Sequence, residues 1–170
     1  IIDSAFQRIE KLSEGKPMYQ SLFNNIEKKL IEIDDVKNPI YYYISINDAF
    51  NVREIIKSDN SQIKKQKGSE GISPLLIATM IGNPKIGDIL IANGAEVSEK
   101  YAEGYTALHI AALLDDAYYC ENLIRNGAKI NVKTNSGKSP LDIAIQHKLS
   151  SIINILSLPK QNNEWPNKRN

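Results

Sequence analysis

The chain has 170 residues, a formal net charge of +1 and 42% hydrophobic residues, enough apolar content for the continuous core of one ordinary domain. Charge is spread evenly, with no basic stripe beyond Lys64, Lys65 and Lys67, so a nucleic-acid partner is not expected. No apolar run reaches the length of a membrane span, so no membrane partner is expected, and the single cysteine, Cys120, excludes an internal disulfide.

In chain order, the first signal is helical. Phe6, Ile9 and Leu12, and then Met18, Leu22, Phe23, Ile26, Leu30 and Ile33, recur at the spacing of one helix face. Residues 1–37 therefore read as an N-terminal helical cap that shields the first helical unit after it. A start at Ile1 rather than Met reads as a processed chain or a fragment. Asp34-Asp35 falls in the break after this segment, where aspartate is favoured for local backbone hydrogen bonds. Pro39-Ile40 opens another helical stretch. Tyr41, Tyr42 and Tyr43 cannot all face one way on it, so one or two belong to the core and at least one to the surface. NVREIIKSDN (51–60) supplies a further helix, and the charged QIKKQKGSEG (62–71) a flexible turn.

From Gly71 the chain repeats itself every 33 residues. Gly71, Gly104 and Gly137 open GISPLLIATMIG, GYTALHIAALLD and GKSPLDIAIQHK, and two copies close on ILIANGAEVS (89–98) and NLIRNGAKIN (122–131). A period in this range is the signature of stacked repeats. In the middle copy Gly104 suits a turn with positive φ, and Thr106 is placed as an N-cap. Its counterparts Ser73-Pro74 and Ser139-Pro140 put proline at the first helical position, where a missing N–H costs nothing. A short helix follows (Leu108, Ile110, Ala111, Ala112), then a break at Asp115-Asp116-Ala117. A second helix carries Tyr119, Cys120, Leu123 and Ile124, and Asn126-Gly127 ends it with a left-handed C-cap. Of Tyr118 and Tyr119, one is expected on the solvent side and the other in the core. Two short helices cannot bury both faces alone, so neighbouring units supply the cover. Residues 38–70 match this phrase only loosely, at an offset of 34–35, and read as a degenerate copy. The end, 157–170, has two prolines and little to bury, and is expected to be mobile.

The phrase Thr106-Ala107-Leu108-His109-Ile110-Ala111-Ala112, followed by Leu123-Ile124-Arg125-Asn126-Gly127-Ala128-Lys129-Ile130-Asn131, resembles the ankyrin repeat. The preceding copy departs from it with Leu76 at the histidine and Thr79 at the second alanine. The last copy has Asp142 at the histidine and resembles the closing unit of such arrays. The resemblance implies an all-α solenoid of helix-turn-helix units at 38–158, comprising a degenerate repeat (38–70), repeats at 71–103 and 104–136, and a closing repeat at 137–158. A helical cap (1–37) precedes it and a flexible tail (159–170) comes after it.

The resemblance also implies a non-catalytic protein-interaction module whose turn tips and first-helix ends line a concave groove. Carried over to this chain, the tips are Ser69, Glu70 and Ile72, then Tyr101, Ala102, Glu103 and Tyr105, then Asn135, Ser136 and Lys138. The helix positions are Met80 and Ile81, Leu113 and Leu114, and Gln146 and His147. Four of those six are large and apolar where a free-standing array is usually polar. Together with Ile72, Tyr101 and Tyr105 they form one apolar strip expected to be a partner site, with Glu103, Lys138 and His147 as polar contacts. Ile81 and Leu114 are also placed to turn inward against the next repeat.

Candidate chemistry is sparse. His109 is implied to tie neighbouring turns, His147 is expected to be exposed, and Cys120 packs as a small hydrophobe. The paired aspartates lie in turns, no phosphate loop, nucleophile elbow or zinc motif occurs, and no cofactor is implied. The expectation is a binder of a protein partner, monomeric or weakly self-associating. The alternatives are an inhibitor or antidote that occludes a toxin or enzyme, or the targeting fragment of a larger secreted effector. A cytoplasmic location is favoured, with a removed signal peptide or secretion left open.

Overall fold

Most helices in the array begin where the sequence supplies a cap. Ser73, Thr106 and Ser139 take extended backbone, so their side chains can meet the free amides of the first helical turn, and Pro74 and Pro140 follow two of them. The second helix of the first three units is opened by Asp48, Asn83 and Asp116, whose side-chain oxygens accept from Asn51, Ile86 and Tyr119 amides respectively, whereas Leu149 ahead of the last one supplies no side-chain cap. A computed structural model describes residues 7–8, 10–11, 14–31, 39–64 and 72–158. Phe6, Ile9, Leu12, Ile33, Asp34, Asp35, Lys65, Lys67, Ser69, Glu70, Gly71 and the tail from 159 lie outside the described residues.

A 3-10 turn, Pro17–Tyr19, leads into α1 (Gln20–Ile31). Helix pairs then follow: α2 (Pro39–Ser45) with α3 (Ala49–Ser58), and, after the short α4 (Ser61–Lys64), α5 (Pro74–Ile81) with α6 (Pro84–Ala92). The last two pairs are α7 (Ala107–Leu113) with α8 (Ala117–Arg125), and α9 (Pro140–Gln146) with α10 (Ser150–Ser157). The helices stack in two layers. First helices pack in the order α2–α5–α7–α9 and second helices in the order α3–α6–α8–α10. The described residues are all-helical, without strands.

Repeats are also tied at their tips. His109 accepts from the Thr106 amide at Nδ1 (3.1 Å), which leaves the Nε2 proton to donate to the Lys138 carbonyl of the next repeat (3.1 Å). Burial holds that ring at about 4, well below the ordinary histidine value, with Lys100 adding to the depression. Where Leu76 replaces the histidine, the Ser73 and Tyr101 hydroxyls meet instead. Gly104 (φ 78°) is needed twice over. A Cβ there would strike the Asn135 amide nitrogen at 3.0 Å, and that amide donates to the Glu103 carbonyl at 2.8 Å.

Two buried clusters result. One lies between the two helix layers of the last pairs and holds Leu108, Ala111, Ala112, Tyr119, Cys120, Leu123, Ala144, Ile152 and Leu156. The other joins the first helices to α1: Leu22, Phe23, Ile26 and Leu30 share it with Leu76, Met80, Tyr105, Ile110, Leu113 and Ile143. The N-terminal segment thus reaches well past the first helix pair. This differs from a shield over the first unit, because the apolar strip on later first helices offers it more cover.

Candidate functional site

The concave side is built by the first helices and the tips between them. Short helices with alanines at 111, 112 and 144 let neighbours approach closely, which turns the residues after those alanines towards one common face. On an open array that face would meet water. Here the chain itself covers it.

The covering segment can be followed from its polar contacts. Arg8 lies over Gly82, at the place a Cβ would occupy, and its guanidinium faces the Asp116 carboxylate at 3.6 Å. Lys16 Nζ donates to the Leu113 carbonyl at 2.7 Å, an ammonium at the C-terminal end of α7 where the helix dipole is negative. Burial lowers the pKa of that amine, opposed in part by Asp115. The Tyr19 ring then stands edge-on to Tyr105 (6.3 Å between centroids) and against His147 (5.5 Å), its hydroxyl 3.1 Å from His147 Nε2, with Lys138 Nζ 6.0 Å above it. Gln146 contacts the sulfur of Met18. Beyond that point α1 passes against the 3-10 turn Ala102–Gly104.

The strip expected to lie open is therefore closed. Ile72 and Tyr105 are each 4% exposed, Met80 2% and Leu113 0%. Burial, with the neighbouring Tyr19 and Glu103, pushes the Tyr105 hydroxyl up to about 12. Ile81, Leu114, Tyr101 and Lys138 are half-buried, as is His147, which is not the exposed side chain expected. Glu103 alone of the ten is exposed. The physical reason for the correction is that Tyr19 and four bulky side chains of α1, Leu22, Phe23, Ile26 and Leu30, form one apolar face that packs in a single cluster with Ile72, Met80, Tyr105 and Leu113. Met18 also departs from expectation. It lies in the 3-10 turn, 60% exposed, and Tyr19 takes the buried place.

Lys16, Tyr19 and Arg8 were not among the residues the sequence singled out. Tyr19 had a signal, since it precedes Leu22, Phe23, Ile26 and Leu30 at helical spacing. Lys16 and Arg8 had none. The tyrosine groups behave as their spacing requires: Tyr41 is buried and donates to the Ile72 carbonyl (2.7 Å), Tyr42 is exposed, Tyr118 is exposed and Tyr119 buried.

The reactive side chains are committed elsewhere. Cys120 is fully buried, and burial, with Asp116 and Asp115 nearby, pushes its thiol up, away from the thiolate a nucleophile needs. Asp116 caps α8. Among the described residues no group of three His, Cys, Asp or Glu side chains converges as metal ligands, and no helix is long and apolar enough to cross a membrane.

Comparison with known families agrees with this geometry. A family model described as ankyrin repeats (3 copies) matches residues 13–134 and 75–167. No curated protein matches the chain.

Proposed function

Since the chain belongs to the ankyrin-repeat family, whose arrays are generally protein–protein interaction modules, we propose that it is a non-catalytic recognition module binding its protein partner along the concave face and its tip rim. The observation that carries this reading is that the face already holds a helix, by side chains of three successive repeats: Met80, Leu113 and Ile143 pack in one cluster with Leu22, Phe23, Ile26 and Leu30 of α1. A surface that orders an amphipathic helix within one chain has the shape and apolar character to order one from another.

The residues selected from the sequence divide by role in this proposal. Ile72, Met80, Tyr105 and Leu113 form the floor, with Ile81, Leu114 and Tyr101 at its margins. Glu103, Lys138 and His147 are the polar rim that sets register. Catalysis has little to work with: His109 spends one ring nitrogen on the Thr106 amide and the other on the Lys138 carbonyl, and the Cys120 thiol is out of solvent.

Site-directed photo-crosslinking in extract of the source cells tests the proposal. A crosslinker placed singly at Glu103 or Gln146, both exposed on the concave side, should trap the same protein, whereas one at Tyr118 on the outer layer should not. Trapping only from Tyr118 would move the site to the convex face and sink the proposal.

A further inference from the structure

The occupant of the groove has the form of a ligand. Tyr19, Leu22, Phe23, Ile26 and Leu30 fall at i, i+3, i+4, i+7 and i+11 and are each no more than 3% exposed, while Gln20, Ser21, Asn24, Asn25 and Lys28 on the other face are in water. Helices docked in grooves elsewhere present anchors at this spacing. Resting on the concave-face reading above, we infer that residues 16–31 are a built-in stand-in for the partner, and that the partner displaces them with an amphipathic helix carrying bulky apolar side chains at the same spacing.

The way the segment is attached separates it from the array. Among the described residues, no backbone–backbone hydrogen bond joins residues 14–31 to the repeats. The repeats, by contrast, are tied to one another by bonds the segment takes no part in: His109 to the Lys138 carbonyl, the Asn135 amide to the Glu103 carbonyl, Asn122 and Asn126 to Asp88. The inter-layer cluster of the last two helix pairs contains no residue of α1, whereas that of the first two pairs is continuous with it. Lifting the segment therefore leaves the hydrogen bonds between repeats closed and uncovers side chains and the Leu113 carbonyl that Lys16 had met. An incoming helix with the same stripe replaces those contacts one for one.

Two features suit the segment to exchange. Once undocked, a 12-residue helix is marginal in water, so release gains conformational freedom that offsets part of the lost packing. Met18 and Ile31, at the two ends of the segment, are 60% and 75% exposed, apolar side chains by which an incoming helix makes first contact. Holding α1 in place, the covalent link through residues 32–38 gives it a high effective concentration over the groove. A free helix thus competes at a disadvantage, which makes α1 a threshold on binding.

The test uses the full chain and a fluorescent peptide of residues 14–31 as probe. In Phe23→Glu/Ile26→Glu, two carboxylates on the buried face expel α1, and the peptide should bind at least about 100-fold tighter than to the wild type. Native-state hydrogen exchange on the wild type should show α1 amides opening well before those of α5, α7 and α9. If α1 exchanges only with global unfolding, or the double variant loses cooperative unfolding, the segment is a permanent part of the fold and the inference fails. The concave-face reading survives that result where the folded variant still takes the peptide. A folded variant that ignores the peptide overturns both. Exchange of α1 between wild-type molecules in a concentration-dependent dimer would make a second copy the occupant and overturn the assignment to a separate partner.

Discussion

The two buried clusters are of similar chemistry but differ in how they are assembled. The inter-layer cluster around Leu108, Cys120, Leu123 and Ile152 is made by residues that recur with the repeat, each meeting its equivalents one unit away. The other cluster joins two surfaces with no common period, the first-helix ends and the stripe of α1, and runs on between the layers of the earlier pairs through Val52, Ile56, Ile86 and Leu90. The first kind of core grows with each repeat added, as in any solenoid. In the second, the contact with α1 exists once, and depends on one segment finding one face. A repeat scaffold can therefore keep its stability in the first and lodge regulation or recognition in the second.

That contrast is broken most sharply by truncating one side chain in each cluster. Leu123→Ala, at a fully buried position between the layers, should cost about 2–5 kcal/mol of global stability in urea unfolding. Leu22→Ala, equally buried in the groove, should remove a comparable amount from α1 while exchange at α7–α10 amides stays near wild type. If both variants accelerate exchange everywhere alike, the two clusters are one cooperative unit.

Acidification should strike the repeat ties next. The folded pKa of His109 is depressed to about 4, whereas an unfolded histidine protonates near its ordinary value. Its contribution is complete above about pH 6.5 and is lost as the pH falls towards 4, by at most about 3 kcal/mol. Comparing urea midpoints at pH 7.5 and 4.5 in wild type and His109→Asn should show a smaller pH effect in the variant. Asp142 and Asp48 also have lowered values, and their contributions are lost only as the pH drops below the ordinary carboxylate range, so they leave this window alone.

A smaller effect sharpens the picture of inter-repeat fit. A Cβ at Gly87 would come within 2.6 Å of the buried Tyr119 hydroxyl. Gly87→Val should cost about 1–3 kcal/mol, and adding Tyr119→Phe should recover part of it, a coupling readable in a double-mutant cycle. Least of all, Arg8→Gln should change stability by less than about 1 kcal/mol, because the pair with Asp116 is partly in solvent and its ions stand 3.6 Å apart.

Legibility followed the same division. Caps at Ser73, Thr106 and Ser139, the left-handed Gly104, the burial of Cys120 and the repeat-linking role of His109 were readable because each is decided within one repeat or by the next. Met80 and Leu113 were legible as part of an apolar strip where an open groove is usually polar, and were assigned to a partner; in the structure they are buried in one cluster with α1. What satisfies the strip was not readable: water, a partner and a distant segment of the same chain all leave the same residues in the sequence.

By itself, then, the sequence determined the repeat, its helix pairs, their caps and an amphipathic segment ahead of them, since all of these follow from local propensity and a short period. Only the tertiary structure decided that the segment lies in the groove, through contacts such as Tyr19 to His147 across 128 residues of chain. An apolar stripe states that a helix must be covered. Which of several apolar faces covers it depends on complementary shape in three dimensions, and a one-dimensional pattern carries no record of that.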